Sequence, residues 1–437
     1  MLTICSVISI LVIISIIVYR TNRDIFSVFD VTSIVLFFSL LDFYFPLLLW
    51  SIYGKPNYPG FDFNDDIYLI SLLYYSIFYA IMLFPLMLHN NRINIRNTSH
   101  FIRKKRLYWI SILLLILVAL NFYREVSYLG GLNNWILEKT YSRYDGGQGI
   151  VNRENSFVNN LPLRETLNVI MLIGLYNRNK FTGLKKSYFA IILPLTCLVL
   201  SFITFFRGSI MMLIVGIIFC EFLRNFKTIQ INRTRFKRKI IKISTLIILI
   251  FTFSTYGRGY LIAKFQNIEY SNSIEESILF SGHGLHGISN IIFFYSKDHN
   301  LLQGKTYFDM ILMPIPRAIY RSKPKWYGID DITRKMGWPK STQSAVTIPG
   351  EAFANFGYLG ILMSLFWATI LFVINRITYS INGMIWLLPG CIFYMISISN
   401  WMAFTGFMNK VLLFILIALT IKYLTINVQD NRHLVKN

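Results

Sequence analysis

The stretch YFAIILPLTCLVLSFITFFRGSIMMLIVGIIFCEFL, Tyr188 to Leu223, decides the class of fold. A helix crosses the hydrocarbon core in about 20 residues, so this run is too long for one span. It suits two short spans joined by a tight turn at Arg207-Gly208. An arginine there, at or just below a membrane interface, is expensive unless it is paired, and intramembrane charges of this kind mark function by default. Snorkelling of its guanidinium to the lipid headgroups is the other reading.

Working outward, the whole chain of 437 residues has the same character: 54% hydrophobic, 16% aromatic and only 15% charged, with a mean hydropathy of +0.51. Soluble domains carry about 25% charged residues, so the composition belongs to the membrane class. We expect an all-α polytopic integral membrane protein forming one transmembrane domain over residues 1–437, with about 11 spans. They fall near 2 to 19, 28 to 50, 67 to 88, 107 to 123, 161 to 176, 188 to 206, 208 to 223, 241 to 256, 357 to 374, 384 to 399 and 411 to 424. The first lacks a basic region before it and a small-residue cleavage site after it, which reads as a retained span. All four cysteines lie in apolar runs, so neither a disulfide framework nor a cysteine zinc site is on offer.

The net charge of +22 has a place in this scheme. Short connections rich in Lys and Arg face the cytoplasm. Arg92 to Arg106, Arg178 to Lys186 and Arg224 to Lys242 are three such connections. Their alternation puts the first residues outside and the C-terminus inside. It leaves two larger segments outside: 124–160, and a partly helical loop, 255–356, between spans 8 and 9. Lipid headgroups and topology account for the charge, and nucleic acid is not implied.

The long loop is itself basic. It carries Arg258, Lys264, Lys297, Lys305, Arg317, Arg321, Lys323, Lys325, Arg334, Lys335 and Lys340, and topology does not require cations on long outer loops. An anionic ligand would explain them. In Pro314-Ile-Pro-Arg317-Ala-Ile-Tyr-Arg321-Ser-Lys323 the two arginines would share one face of a short helix, and paired guanidiniums match the oxygens of a diphosphate. A surface helix holding lipid headgroups is the alternative. His283 and His286 lie on a glycine-rich stretch, as a general base or as structural histidines. No metal-ligand spacing accompanies them. Gly304-Lys305-Thr306 looks like the end of a P-loop, but His299 occupies the first glycine position. Glu351, after Pro349-Gly350, has two open roles: base or orienter of basic groups, or a helix N-terminal charge set against the dipole. Asp42, inside the second span, is a proton relay or the buried partner of an arginine.

The segment Leu129-Gly-Gly-Leu132 to Tyr144, Phe206-Arg207-Gly208, Gly304 to Pro324, and Glu351 to Gly360, together with the span pattern, make the chain resemble the Wzy-type O-antigen polymerases. The resemblance implies metal-independent glycosyl transfer at the outer face of the bacterial inner membrane, without a cofactor. A glycan on undecaprenyl diphosphate would pass to a hydroxyl of an incoming lipid-linked repeat unit. A chain-length-determinant co-polymerase would be a partner. Arg207, Arg258, Arg317, Arg321 and Lys323 would hold the diphosphate, and Glu351, His283 or His286 would serve the acceptor. An O-antigen ligase shares this topology and donor chemistry. A flippase or other transporter of lipid-linked sugars is the alternative of a different class, although no internal repeat is visible.

Overall fold

The computed structural model describes residues 2–23, 31–53, 65–88, 101–102, 104–132, 134–135, 163–203, 213, 216–217, 220, 283–298, 301–312, 329–337, 346–380 and 425–426. Their regular secondary structure is helical apart from one two-residue ladder. In chain order the helices are α1 (Leu2–Arg23), α2 (Val31–Ser39), α3 (Phe45–Tyr53), α4 (Asp65–Leu88), α5 (Lys104–Tyr128), α6 (Leu163–Tyr176), α7 (Gly183–Ser187), α8 (Leu193–Ile203), α9 (His283–Asp298), α10 (Lys305–Leu312), α11 (Ile329–Lys335), α12 (Ile348–Phe356) and α13 (Met363–Ser380). A π-helical turn, Leu40–Tyr44, joins α2 to α3, and another, Tyr188–Ile192, joins α7 to α8.

Five stretches are long and apolar enough to cross a membrane: Thr3–Asn22, Asp66–Met87, Lys104–Tyr128, Gly183–Leu200 and Ile348–Val373. Each overlaps an expected span, and Ile348–Val373 begins nine residues before the expected start at 357, within the expected outer loop. The shorter apolar helix Thr166–Tyr176 lies where the fifth span was placed. The expected spans at 241–256, 384–399 and 411–424, and most of 208–223, lie outside the described residues. Lipid-facing side chains account for the exposed Leu11, Leu113, Leu120, Leu359 and Leu365, since hydrocarbon is as good a neighbour for them as protein.

Asp66–Met87 is the central span. Half of its apolar window is buried, against 17% for Thr3–Asn22. Its partners on one side come from 31–53: Tyr75 Oη donates to Ser39 Oγ at 2.9 Å, and Tyr44 and Ser76 share a 2.9 Å hydrogen bond. Interhelical bonds of this kind are the polar glue of membrane bundles. On its other side α4 packs on α9 and α13. Small residues permit the close crossings. A Cβ on Gly360 would lie 2.4 Å from the Ala352 carbonyl oxygen and 2.6 Å from Tyr74 Oη. One on Gly174 would meet the Phe189 ring at 2.1 Å.

Phe101–Ile102 (β1) pairs antiparallel with Thr425–Ile426 (β2). Lys104 sits close enough to Lys180 to help depress its proton affinity, after burial, and Lys185 Nζ lies 5.3 Å from the Tyr108 ring centroid. The connection before α5, the connection before α7 and the C-terminal ladder strand therefore gather at one end of the bundle. At the far end of α5, Gly130 and Gly131 take φ values of 76° and 126°. This reversal, impossible without strain for larger residues, folds Trp135 back onto Phe122 with its indole donating to Glu125 at 3.0 Å.

Two outcomes follow. Gly360→Ala forces Cβ into a backbone carbonyl and should destabilise by about 1–3 kcal/mol, read as a lower Tm in detergent. Cysteines placed at His100 and Asn427, beside the two ladder strands, should react with an impermeant thiol reagent from the same side of the membrane, and opposite-side labelling would contradict the pairing.

Candidate active site

The site is built on α12. Thr347 caps it, its Oγ1 accepting from Gly350 N at 3.2 Å, and Pro349 occupies the first turn, where its missing N–H costs nothing. Glu351 follows in that turn with its N–H on the Thr347 carbonyl at 2.8 Å. The sequence leaves this glutamate the option of a solvated helix-end charge, yet it is 0% exposed. Every residue from Ile348 to Asn355 is buried. The helix then breaks at Gly357, whose φ is 61°, and continues through a 3-10 turn, Gly357–Leu362, into α13. Irregular backbone within a membrane stretch is tolerated where protein buries it.

A buried carboxylate must find partners. They come from the first turn of α10, 45 residues upstream, and from α12 itself. Thr306 Oγ1 donates to Glu351 Oε1 at 2.8 Å. Asn355 Nδ2 donates to Thr306 Oγ1 and to the Glu351 carbonyl, both at 2.7 Å. The amide therefore polarises the hydroxyl toward the carboxylate, a directional chain in which each member strengthens the next. The backbone completes the junction: Leu302 N and Gln303 N cap the Ala354 and Asn355 carbonyls at 2.9 Å. Gly304, at φ 82°, lets the turn pass the Phe356 ring, which a Cβ there would approach to 3.1 Å. The Gly-Lys-Thr that imitates a P-loop is thus a docking turn.

Around this network lie the buried Tyr307, Tyr74 and Trp367. Burial, reinforced by Glu351 and Tyr74, pushes the Tyr307 phenol well above its ordinary value, so it stays a neutral donor at physiological pH. Tyr74 stacks edge-on to Phe353 at 5.3 Å. Since Tyr74 is nine residues from the Asp65 end of α4 and fourteen from Leu88, the site lies roughly 14 Å from one end and 21 Å from the other.

Lys305 ties a further helix to the site. Its Nζ lies 2.7 Å from Asp331 Oδ2 on α11 and 3.9 Å from Asp309 Oδ2 on α10. Residues 313–328, between these helices, carry Arg317, Arg321 and Lys323, so an ion pair joins the two helices from which the arginine segment springs.

Of the residues singled out by sequence, Glu351 is at the centre. His286 is buried on α9, and His283 opens that helix. Arg207, Arg258, Arg317, Arg321 and Lys323 lie outside the described residues. Asp42 falls in the Leu40–Tyr44 π-helical turn. Thr306, Asn355, Asp309 and Asp331 were not singled out, and only the turn glycine Gly304 signalled a close approach at that place. Among the described residues no three His, Cys, Asp or Glu side chains converge as metal ligands.

Fold and site together define a helical membrane protein with a buried polar centre at a broken span. No protein-family model, curated protein or solved structure matches the chain.

Thr306→Val removes the donor to Glu351 and the acceptor of Asn355 while keeping shape. It should cost about 1–3 kcal/mol, and a Tm equal to that of the unaltered protein would show the network to be dispensable.

Proposed function

We propose that the chain is a membrane glycosyltransferase that polymerises undecaprenyl-diphosphate-linked oligosaccharide repeat units at the outer, periplasmic face of a bacterial inner membrane. The N-terminus is then periplasmic and the C-terminus cytoplasmic. The reading rests on the resemblance to Wzy-type polymerases and on outward cations that topology does not require. The observation that carries it is the Lys305–Asp331 pair at 2.7 Å, joining the helices that flank the segment of Arg317, Arg321 and Lys323. Cations that meet a developing charge without reorganising are effective electrostatic catalysts, and that is the role we propose for this segment.

The donor in this reaction brings its own leaving group, a lipid diphosphate, so no nucleotide and no metal is called for in the proposal. The protein's tasks are to stabilise the departing diphosphate, hold two lipid-borne sugars in line, and accept a proton. Arg207, Arg317, Arg321 and Lys323 take the first task, with Arg258 beside them. Glu351, sealed among Thr306 and Asn355, orients the outer segment on the spans. His283 and His286 lie on α9, which packs against α12, and stand as secondary candidates for the acceptor. A chain-length-determinant co-polymerase remains the proposed protein partner.

One feature favours a second reading. The break at Gly357 within Ile348–Val373, next to a buried carboxylate, is a pattern that transporters use. The two readings diverge in cells. Arg207→Ala or Arg317→Ala should abolish long glycan chains while the protein still inserts, leaving lipopolysaccharide of core plus one repeat. Normal ladders from both variants would overturn the site assignment, bare core would indicate a ligase, and lipid-linked units trapped on the cytoplasmic leaflet would indicate a transporter.

A further inference from the structure

Next to the Glu351 network lies a second polar cluster, assembled from α9, α10 and α11. Asp309 is 5% exposed and its Oδ2 has no hydrogen bond. The Tyr295 hydroxyl, on a residue 2% exposed, has none either. Tyr295 is near enough to Asp331 for that carboxylate, after burial itself, to raise the phenol further. Lys305, half-exposed along its side chain, opens the cluster to solvent. A buried donor and a buried acceptor left without hydrogen bonds are both costly, and orphans of this kind call for an explanation.

Charge decides what could satisfy them. Two carboxylates against one ammonium make this corner net negative within a chain of +22. A diphosphate would be repelled from it and drawn to the neighbouring arginine segment. A neutral, polyhydroxylated ligand fits both orphans, because a sugar hydroxyl accepts from a phenol and donates to a carboxylate. We propose that Asp309, with Lys305, Asp331 and Tyr295, forms the acceptor-sugar subsite and that Asp309 takes the proton of the attacking hydroxyl.

This assignment rests on the glycosyltransferase reading. In the step, the acceptor O–H proton moves to Asp309 Oδ2 while the oxygen bonds to the donor anomeric carbon. The bond from that carbon to the diphosphate oxygen breaks, and its electron pair leaves with the lipid diphosphate. Asp309 then returns its proton to water. Burial holds the Asp309 carboxyl above its ordinary value, Lys305 opposes this and Asp331 adds to it. Those two act on it from α10 and α11, Tyr295 of α9 lies near Asp331, and the one ionisable group of α12 is Glu351, which is bonded to Thr306.

The test uses full-length protein in membrane vesicles from cells lacking their own copy, with the lipid-linked oligosaccharide extracted from those cells as donor and acceptor. Asp309→Asn should lower the transfer rate at least about 100-fold, and Asp309→Glu should recover part of it. The acid limb of the pH profile supplies the readout that a structural role would not move. Lys305→Met removes the group that favours ionised Asp309, so the limb should shift to higher pH. Asp331→Asn removes the group that disfavours it, so the limb should shift to lower pH. A wild-type rate for Asp309→Asn, or a limb unmoved by both neighbouring variants, would overturn the assignment and leave the transferase reading standing. No transfer by the unaltered protein would instead sink that reading.

Discussion

The constraint on which the rest depends is the burial of one carboxylate. Glu351 is wholly enclosed, in a place where an unpartnered charge would cost several kcal/mol. Its partners, Thr306 and Asn355, bind each other as well as the glutamate. The consequence is mechanical. The turn at 301–304 must dock on the end of α12, and α10 must start where it does. What hydropathy reads as a loop between spans is therefore attached to the bundle at a defined point.

From that point the arrangement propagates. α12 is fixed against α9, where a Cβ on Gly350 would come within 2.9 Å of Ile291, and against α4 through Phe353 and Tyr74. Docking of α10 places Lys305 next to Asp331, and this pair sets the spacing of the helices on either side of the arginine segment. Asp309 and Asp331 make a net negative corner with Lys305, and in the sequence the basic residues Arg317, Arg321 and Lys323 lie between them. In the proposed reaction both substrates carry a lipid diphosphate, and what such a corner can select is the neutral sugar end that bears the attacking hydroxyl.

The spans were legible because hydrophobicity over twenty residues is a local property. Thr3–Asn22, Asp66–Met87 and Lys104–Tyr128 stand in the sequence as apolar runs bounded by charge. Glu351 was legible as a functional candidate, though its surroundings were not, since Thr306 lies 45 positions away and no local pattern links them. The stretch from His283 reads as a glycine-rich segment, yet it forms α9, whose Gly284 to Ile292 are all buried. Contacts with α4 and α12 override the poor helix propensity of its glycines. Asp309 and Asp331 are illegible in the sequence for a related reason: locally they are ordinary polar residues of short segments, and only the packing of the helices leaves the buried Asp309 Oδ2 without a hydrogen bond.

The central proposal is that residues 313–328 receive a lipid-borne diphosphate and that Asp309 and Tyr295 receive a neutral sugar. The most direct measurement is a cryo-electron-microscopy structure of the full chain in lipid nanodiscs with a non-transferable lipid-diphosphate oligosaccharide. The account predicts diphosphate density against the 313–328 segment, sugar density at Asp309 and Tyr295, and the Thr306 to Glu351 bond unchanged. Diphosphate bound beside Lys104 and Lys180 instead would contradict it.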